Sequence, residues 1–245
     1  MSDTVSFGYE EVSPEEKTER VGAVFSSVAK KYDVMNDAMS GGMHRLWKDK
    51  FVRRVKPQPG EQILDMAGGT GDIAFRMAAH GATITVSDIN QDMLDVGIER
   101  AMDKGLDDLV WSRQNAEVLT FPDRFFDGYT IAFGIRNVTR IDQALAEAYR
   151  VLKHGGRFYC LEFSTTEWPG FKEAYDAYSH KLVPKIGQAI AGRGRCLVIL
   201  DNFEQVARHA AALAAYQLGH VGVLLLRHDR GAGAEAVGQV DEAEL

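Results

Sequence analysis

Cysteine is scarce: Cys160 and Cys196 are the two in 245 residues, and neither stands in CxxC or metal-ligand spacing. That argues for a reducing, cytoplasmic setting. The histidines are scattered along the chain with no H-E-x-x-H or similar cluster, so no metal site is expected. No apolar run reaches membrane-spanning length, and no signal-peptide pattern opens the sequence. Positive charge is short as well. Lys and Arg number 28 against 35 Asp and Glu, a formal net charge of -7, and no long basic run appears. The electrostatic footprint of a nucleic-acid binder is therefore missing, and nucleic acid is not expected as a partner.

The chain does carry a glycine-rich octapeptide, DMAGGTGD, from Asp65 to Asp72. Gln62-Ile63-Leu64 ahead of it is a short apolar run suited to a buried parallel strand, and Ile73 to Ala79 behind it reads as helix. Strand, tight turn and helix in that order make a cofactor crevice. The literal G-x-G-x-x-A match from Gly69 to Ala74 is too short to select the cofactor. Charge is more selective. A pyrophosphate would sit on the N–H groups at the helix start, where Asp72 would repel it, whereas a sulfonium and ammonium ligand would be attracted. Asp72 also has a plain reading as a helix cap.

Length suits one α/β domain with appendages. Residues 1–12 read as polar and mobile, and Ser13-Pro14-Glu15-Glu16 as a helix start. Helices are expected to about Lys31 and from about Asn36 to Arg54, and Pro57 to Gly60 forms a turn into the core. Thr83 to Ser87 reads as a strand ending at Asp88, about twenty residues past the first loop glycine, where such folds place a ribose-binding acid. A helix from Gln91 to Lys104 follows, then strands at Val110 to Gln114 and Phe126 to Phe133. A helix from Ile141 to Leu152, the Gly155-Gly156 turn and a strand from Arg157 to Phe163 complete the alternation. This pattern predicts a Rossmann-like, doubly wound, mostly parallel sheet behind an N-terminal helical section. The expected division is a helical cap at 1–56, a core at 57–194 and an atypical segment at 195–245.

Longer signatures carry a resemblance. Tyr32 to Ser40 (YDVMNDAMS) with His44-Arg45-Leu46-Trp47-Lys48, the stretch Phe133 to Val138 (FGIRNV), and Arg150 to Lys153 with Gly155-Gly156 and Leu161 to Ser164 resemble the UbiE/COQ5 family of quinone-biosynthesis C-methyltransferases. The similarity runs from about Val21 to Gly194. It implies a class I methyltransferase fold, S-adenosylmethionine as methyl donor, and a polyprenylated hydroquinone as acceptor. Carried over by position, Thr70 in the turn, Asp88 at the ribose hydroxyls and Asn115-Ala116 by the adenine contact the donor, beside Asp65, Gly69 and Gly71. A carboxylate suits two vicinal hydroxyls, and an amide or backbone N–H suits an adenine edge. On the acceptor side Arg136 is the candidate stabiliser of a developing phenolate and Asn137 would orient the ring hydroxyl; Tyr32 and His44 are candidate proton relays. Arg136 could instead pair with a helix carboxylate.

Three departures from the family pattern stand out. Ala132 occupies a place where many relatives have a serine near the donor, and His154 replaces the usual proline before Gly155. From about Arg195 the family pattern stops, as after a reading-frame change or gene-end rearrangement, and the sheet is expected to be incompletely covered there. Asn202 to Leu218 reads as an Ala-rich helix, His220 to Leu226 as a strand and Arg230 to Leu245 as disordered. Phe171, Tyr175, Tyr178, Leu182 and Val183 recur at helical spacing and could line a passage for a prenyl chain. A lipid-soluble acceptor implies peripheral contact with the inner face of a membrane. Membership of a quinone-biosynthesis complex and a homodimer also stay open. So do two rival functions, a non-catalytic member of such an assembly and an NAD(P)-dependent oxidoreductase.

Overall fold

The early core strands are buried at nearly every position, which requires cover on both faces of the sheet, and the chain supplies it. The structure, a computed structural model, describes residues 5–7, 10–40, 42–163 and 221–227. Strand β3 (Gln62–Met66) and strand β4 (Thr83–Asp88) are buried along almost their whole length, as strands inside a parallel sheet must be. Helix α4 (Asp72–Ala78) joins them, and α5 (Gln91–Asp103) leads to β5 (Val110–Arg113). The chain then returns to the other side of β3 with β6 (Phe126–Ala132), α6 (Ile141–Val151) and β7 (Leu152–Phe163). The sheet order is β5-β4-β3-β6-β7-β8, parallel through β7. Winding direction reverses between β3 and β6, which leaves a crevice at their C-terminal ends.

On one face, α6 buries Ile141, Ala144, Ala148 and Val151, a stripe at helical spacing, against Tyr129, Ile131 and Phe158. On the other, Phe51, Val52 and Val55 of helix α3 (Met43–Val55) join Ile63, Ile73, Met77, Ile84 and Leu161 in one cluster. The N-terminal helices thus share the core of the sheet. Helix α1 (Pro14–Val28) starts at Ser13, whose side chain accepts from Glu16 N–H, and a 3-10 turn at Ala29–Lys31 leads to α2 (Tyr32–Ser40).

Several elements differ from the sequence expectation. Residues 1–12 do not read through as mobile: β1 (Val5–Phe7) and β2 (Glu10–Val12) pair antiparallel, and Val12 packs with Val21. The helix expected from Asn36 to Arg54 is two helices, because Gly42 adopts a left-handed φ of 80° between α2 and α3. Strand β7 begins before the expected turn. Leu152 pairs with Phe126 and Arg157 with Gly128, so Lys153 to Gly156 bulge out of the ladder, with Gly155 at φ 79°. The sheet also does not end at its fifth strand. β8 (Val221–Arg227), the expected strand, lies antiparallel to β7 from Arg157↔Arg227 to Phe163↔Val221. Its sequence, VGVLLLR, has the β-branched and apolar character that ladders favour. The segments 168–190, 202–218 and 230–245 lie outside the described residues.

Gly97 sets how closely α5 can approach the sheet. A Cβ there would lie 2.5 Å from the Trp111 ring and 3.2 Å from the Gly69 carbonyl oxygen. Gly97→Ala should therefore overpack the junction and cost about 1–3 kcal/mol. Chemical denaturation followed by tryptophan fluorescence checks this, and an unchanged midpoint would show that Trp111 yields freely.

Candidate active site

The glycine-rich turn reverses direction in very little space, and its backbone shows how. Ala67, Gly69 and Gly71 all have positive φ, at 53°, 53° and 82°. Gly68 N–H donates to the Ser87 carbonyl at 3.0 Å, and a Cβ on Gly68 would meet Val86 at 2.7 Å. Across the crevice Phe133 also has a positive φ, and a Cβ on Gly134 would lie 2.4 Å from that of Ala67. Two non-glycine residues in the left-handed region face one crevice, the kind of local strain that gathers at functional sites.

A cavity of about 1090 Å³ opens here, walled by the turn, the ends of β4 and β6, and helices α1 to α3. That is at the upper limit of a single small-molecule pocket, of order 300–1,000 Å³, so two ligands can share it. Asp65, Gly69, Thr70, Asp88, Asn115, Ala116, Tyr32, His44, Arg136 and Asn137 all line it. Gly71 does not. It packs beneath Phe75 and Trp111, where a Cβ would come within 2.8 Å of one and 2.9 Å of the other, so its role is architectural.

Asp88 is fixed by backbone: Oδ2 accepts from Gly69 N–H at 3.0 Å and Oδ1 from Asn90 N–H at 2.9 Å. Burial raises its pKa in spite of these bonds. Asn90, which the sequence reading missed, caps α5 through Met93 N–H and donates to the Gly22 carbonyl and Ser26 Oγ, each at 3.0 Å. Asp65 is deeply buried; Oδ1 accepts from Thr130 Oγ1 at 2.7 Å and Oδ2 has no partner among the described residues. Burial pushes its pKa up to about 7, against hydrogen bonds from Thr130 and Ala74 N–H that act to lower it. Thr70 Oγ1 accepts from Arg100 at 2.7 Å. Asn115 Oδ1 accepts from Glu117 N–H at 3.0 Å and shapes its own turn.

Asp72 does not play the part its sequence position suggested. Burial alone would raise its pKa, but Lys48 at 2.7 Å and Arg76 pair with it and hold the carboxyl down at about 2. Its charge is spent on protein cations, so it neither attracts a sulfonium nor repels a phosphate with full strength.

On the cap side, Arg136 stands in a 3-10 turn at Ile135–Asn137 and pairs with Glu162 of β7, a strand carboxylate and not the helix carboxylate expected as its alternative partner. Burial raises the Tyr32 pKa, partly offset by the Arg136 charge and a hydrogen bond with Asn36. His44 Nε2 lies 2.8 Å from Asp37 Oδ1, while its buried Nδ1 has no partner among the described residues. Asp37 is held in turn by Arg45 through both carboxylate oxygens, at 2.8 and 2.6 Å. Glu162 and Asp37 lie far in sequence from the turn, and composition gave no sign of their pairings. No cluster of metal-ligating side chains occurs among the described residues.

Comparison with known proteins agrees on a family. The model of the ubiE/COQ5 methyltransferase family matches residues 13–199. The chain is 61% identical to a ubiquinone/menaquinone biosynthesis C-methyltransferase from Zymomonas mobilis, covering 77% of this chain and 78% of that one. It is 52% identical to the mitochondrial 2-methoxy-6-polyprenyl-1,4-benzoquinol methylase of Arabidopsis thaliana, covering 78% and 74%. Among solved structures, the YcgJ protein from Bacillus subtilis matches with TM-score 0.53 at 22% identity, covering 71% of this chain and 70% of that one. The [4+2]-cyclase SpnF matches with TM-score 0.59 at 20% identity, covering 87% and 97%. Those two likenesses establish the fold and no more.

Asp65 makes stability depend on pH with a definite sign. The unfolded chain releases this proton near 3.8 and the folded chain near 7. Folding therefore binds a proton between those values, and the Asp65 contribution disfavours the fold increasingly as pH rises from about 4 to 7, levelling off above. Asp65→Asn should remove that slope, so the variant gains a few kcal/mol on the wild type across this window at about 1.4 kcal/mol per unit. Urea midpoints from pH 4 to 8 check it; parallel curves would mean that Asp65 ionises normally.

Proposed function

The chain belongs to the ubiE/COQ5 methyltransferase family, and from that premise we propose that it moves a methyl group from S-adenosylmethionine to a ring carbon of a polyprenylated hydroquinone, as in ubiquinone or menaquinone biosynthesis. The observation that carries the reading is one cavity in which the turn and Asp88 meet Tyr32, Arg136 and Asn137. Asp72, being neutralised, no longer argues against a dinucleotide; the family membership decides that question.

The residues present fit the donor. Each oxygen of Asp88 accepts one backbone N–H and keeps capacity for a vicinal ribose hydroxyl. Gly69 leaves that approach clear, since a Cβ would stand 3.0 Å from Met93 and 3.9 Å from Asp88 Oδ2. Asp65 offers a buried carboxyl to a cationic ligand, and Asn115 and Ala116, which line the same cavity, would flank the base. When bound, the donor supplies an electrophilic methyl group.

An aromatic carbon attacks that methyl group well only as its hydroxyl becomes phenolate-like, so the chain's task is to orient the ring and manage a proton. Arg136 stabilises the developing oxyanion. Glu162 anchors its guanidinium. Asn137 orients the ring hydroxyl. Tyr32 stays protonated, so it serves as a hydroxyl relay and not as a base in its own right. His44, held through Nε2 by Asp37, is the other relay.

Peripheral contact with a membrane belongs to the same reading. Supporting it, Val34, Met43 and Leu46 of α2 and α3 are exposed, and Met43 lines the cavity. Apart from Lys48, which is buried against Asp72, residues 30–56 carry seven Lys or Arg against three Asp in a chain of net charge -7, which suits an anionic lipid surface. No helix among the described residues is long and apolar enough to cross a membrane.

Methyl transfer measured on short-chain benzoquinol and naphthoquinol acceptors tests the activity, and transfer to neither would refute it. Arg136→Ala should lower kcat by about 10²-fold while leaving donor affinity within a few-fold. Equal losses in both would mark Arg136 as structural. Leu46→Glu should weaken sedimentation with anionic vesicles, and undiminished binding would exclude this face.

A further inference from the structure

Arg100 touches both halves of the cavity wall while lining neither ligand place. From α5, its Nη1 donates to Thr70 Oγ1 at 2.7 Å and to the Thr70 carbonyl at 3.2 Å, while Nη2 lies 2.5 Å from Asp33 Oδ2. Its guanidinium also sits 5.4 Å from the centre of the Phe75 ring, on the helix that leaves the turn. Arg100 and Asp33 are both partly buried, at 26% and 33% exposure, so the pair is less screened than a surface one. Thr70 belongs to the donor turn, and Asp33 follows Tyr32 on α2, the helix over the acceptor side. Because the guanidinium is one rigid plane, a shift of Thr70 that moves one nitrogen moves the other against Asp33.

Other ties between the cap and the core among the described residues join other elements. Asn90 holds α1 through Gly22 and Ser26, and Lys48 of α3 holds Asp72. Among the described residues, Arg100 is the side chain that bonds both Thr70 in the middle of the turn and Asp33 on α2. Asp33 Oδ1 is buried without a hydrogen bond among the described residues, so loss of Arg100 would leave that carboxylate poorly compensated.

We propose that Arg100 is a positioning residue that couples the donor turn to the acceptor-side helix, so that filling one half of the cavity raises affinity in the other. The inference rests on the donor and acceptor assignment above. Coupling of this kind must be reciprocal and appears as a ratio of dissociation constants.

The test measures the dissociation constant of S-adenosylhomocysteine with and without a saturating short-chain hydroquinol, by calorimetry on the full chain. The wild type should show at least about fivefold tighter binding with the hydroquinol present. Asp33→Asn keeps the side chain's size and removes its charge. It should bind S-adenosylhomocysteine alone within about twofold of wild type while the ratio falls towards one. Arg100→Lys should also reduce the ratio, because one ammonium cannot serve Thr70 and Asp33 in the same geometry; it carries the test if Asp33→Asn does not fold. A wild-type ratio near one, or a ratio that survives in both variants, overturns the coupling while leaving the methyltransferase reading intact. Absence of any S-adenosylhomocysteine binding by the wild type overturns that reading and the coupling with it.

Discussion

A buried carboxylate between two backbone donors organises this crevice. Asp88 stands at the end of β4 and accepts from Gly69 on the turn and from Asn90 at the start of α5. Each bond fixes a segment that has its own further reach. The Gly69 bond holds the turn in its left-handed conformation against Ser87 and Val86, and Asn90 goes on to cap α5 and grip α1. Hydrogen bonds to a charged group are worth roughly 1.5–3 kcal/mol each, more than neutral ones, so a single acid can hold turn, helix and cap in register. The same acid keeps oxygen capacity facing the cavity.

Electrostatics around that acid follow a pattern of spent and reserved charge. Asp72 and Glu162 are engaged by Lys48, Arg76 and Arg136. Such partly buried pairs orient side chains more than they add stability, because desolvation offsets much of their attraction. Asp65 has no cation pairing with it among the described residues, and burial holds its proton up to about 7. A cationic ligand bound beside it would favour the ionised form and release that proton. The site therefore keeps its one unpaired carboxyl among these, Asp65, beside the turn, while Arg136 lines the same cavity with its charge paired to Glu162.

Legibility in the sequence followed interaction range. The five parallel strands and their helices are readable because apolar runs and amphipathic periodicity are local, and the glycine-rich octapeptide marks the turn between the first strand and its helix. Motif spacing puts Asp88 at a strand end, the family resemblance adds Thr70, and the structure brings both to the wall of one cavity. Asp72 misled because its position predicts a charge at the helix start but cannot reveal that Lys48, 24 residues earlier, neutralises it. Arg136–Glu162 and Arg100–Asp33 were invisible for the same reason, since both depend on which elements the sheet order brings together. A break at Gly42 is not legible in the sequence, because glycine inside an amphipathic run is often tolerated in a helix.

The divergent end of the chain acts on the site through one strand. Resemblance to the family was expected to fade at about Arg195, and the family model stops at 199, whereas among the described residues those lining the cavity lie at or before Arg140. An edge strand leaves a row of backbone groups unpaired and holds its side chains loosely. Strand β7 carries Glu162, the anchor of Arg136, and its Leu161 carbonyl accepts from Phe133 N–H at 2.7 Å, which fixes the strained turn opposite Ala67. β8 pairs along β7 from Arg157 to Phe163, with Glu162 opposite Gly222, and so turns that edge into an interior strand. Although its sequence has left the family pattern, β8 still supplies backbone pairing beside the strand that anchors Arg136, because a ladder depends on strand geometry far more than on particular side chains.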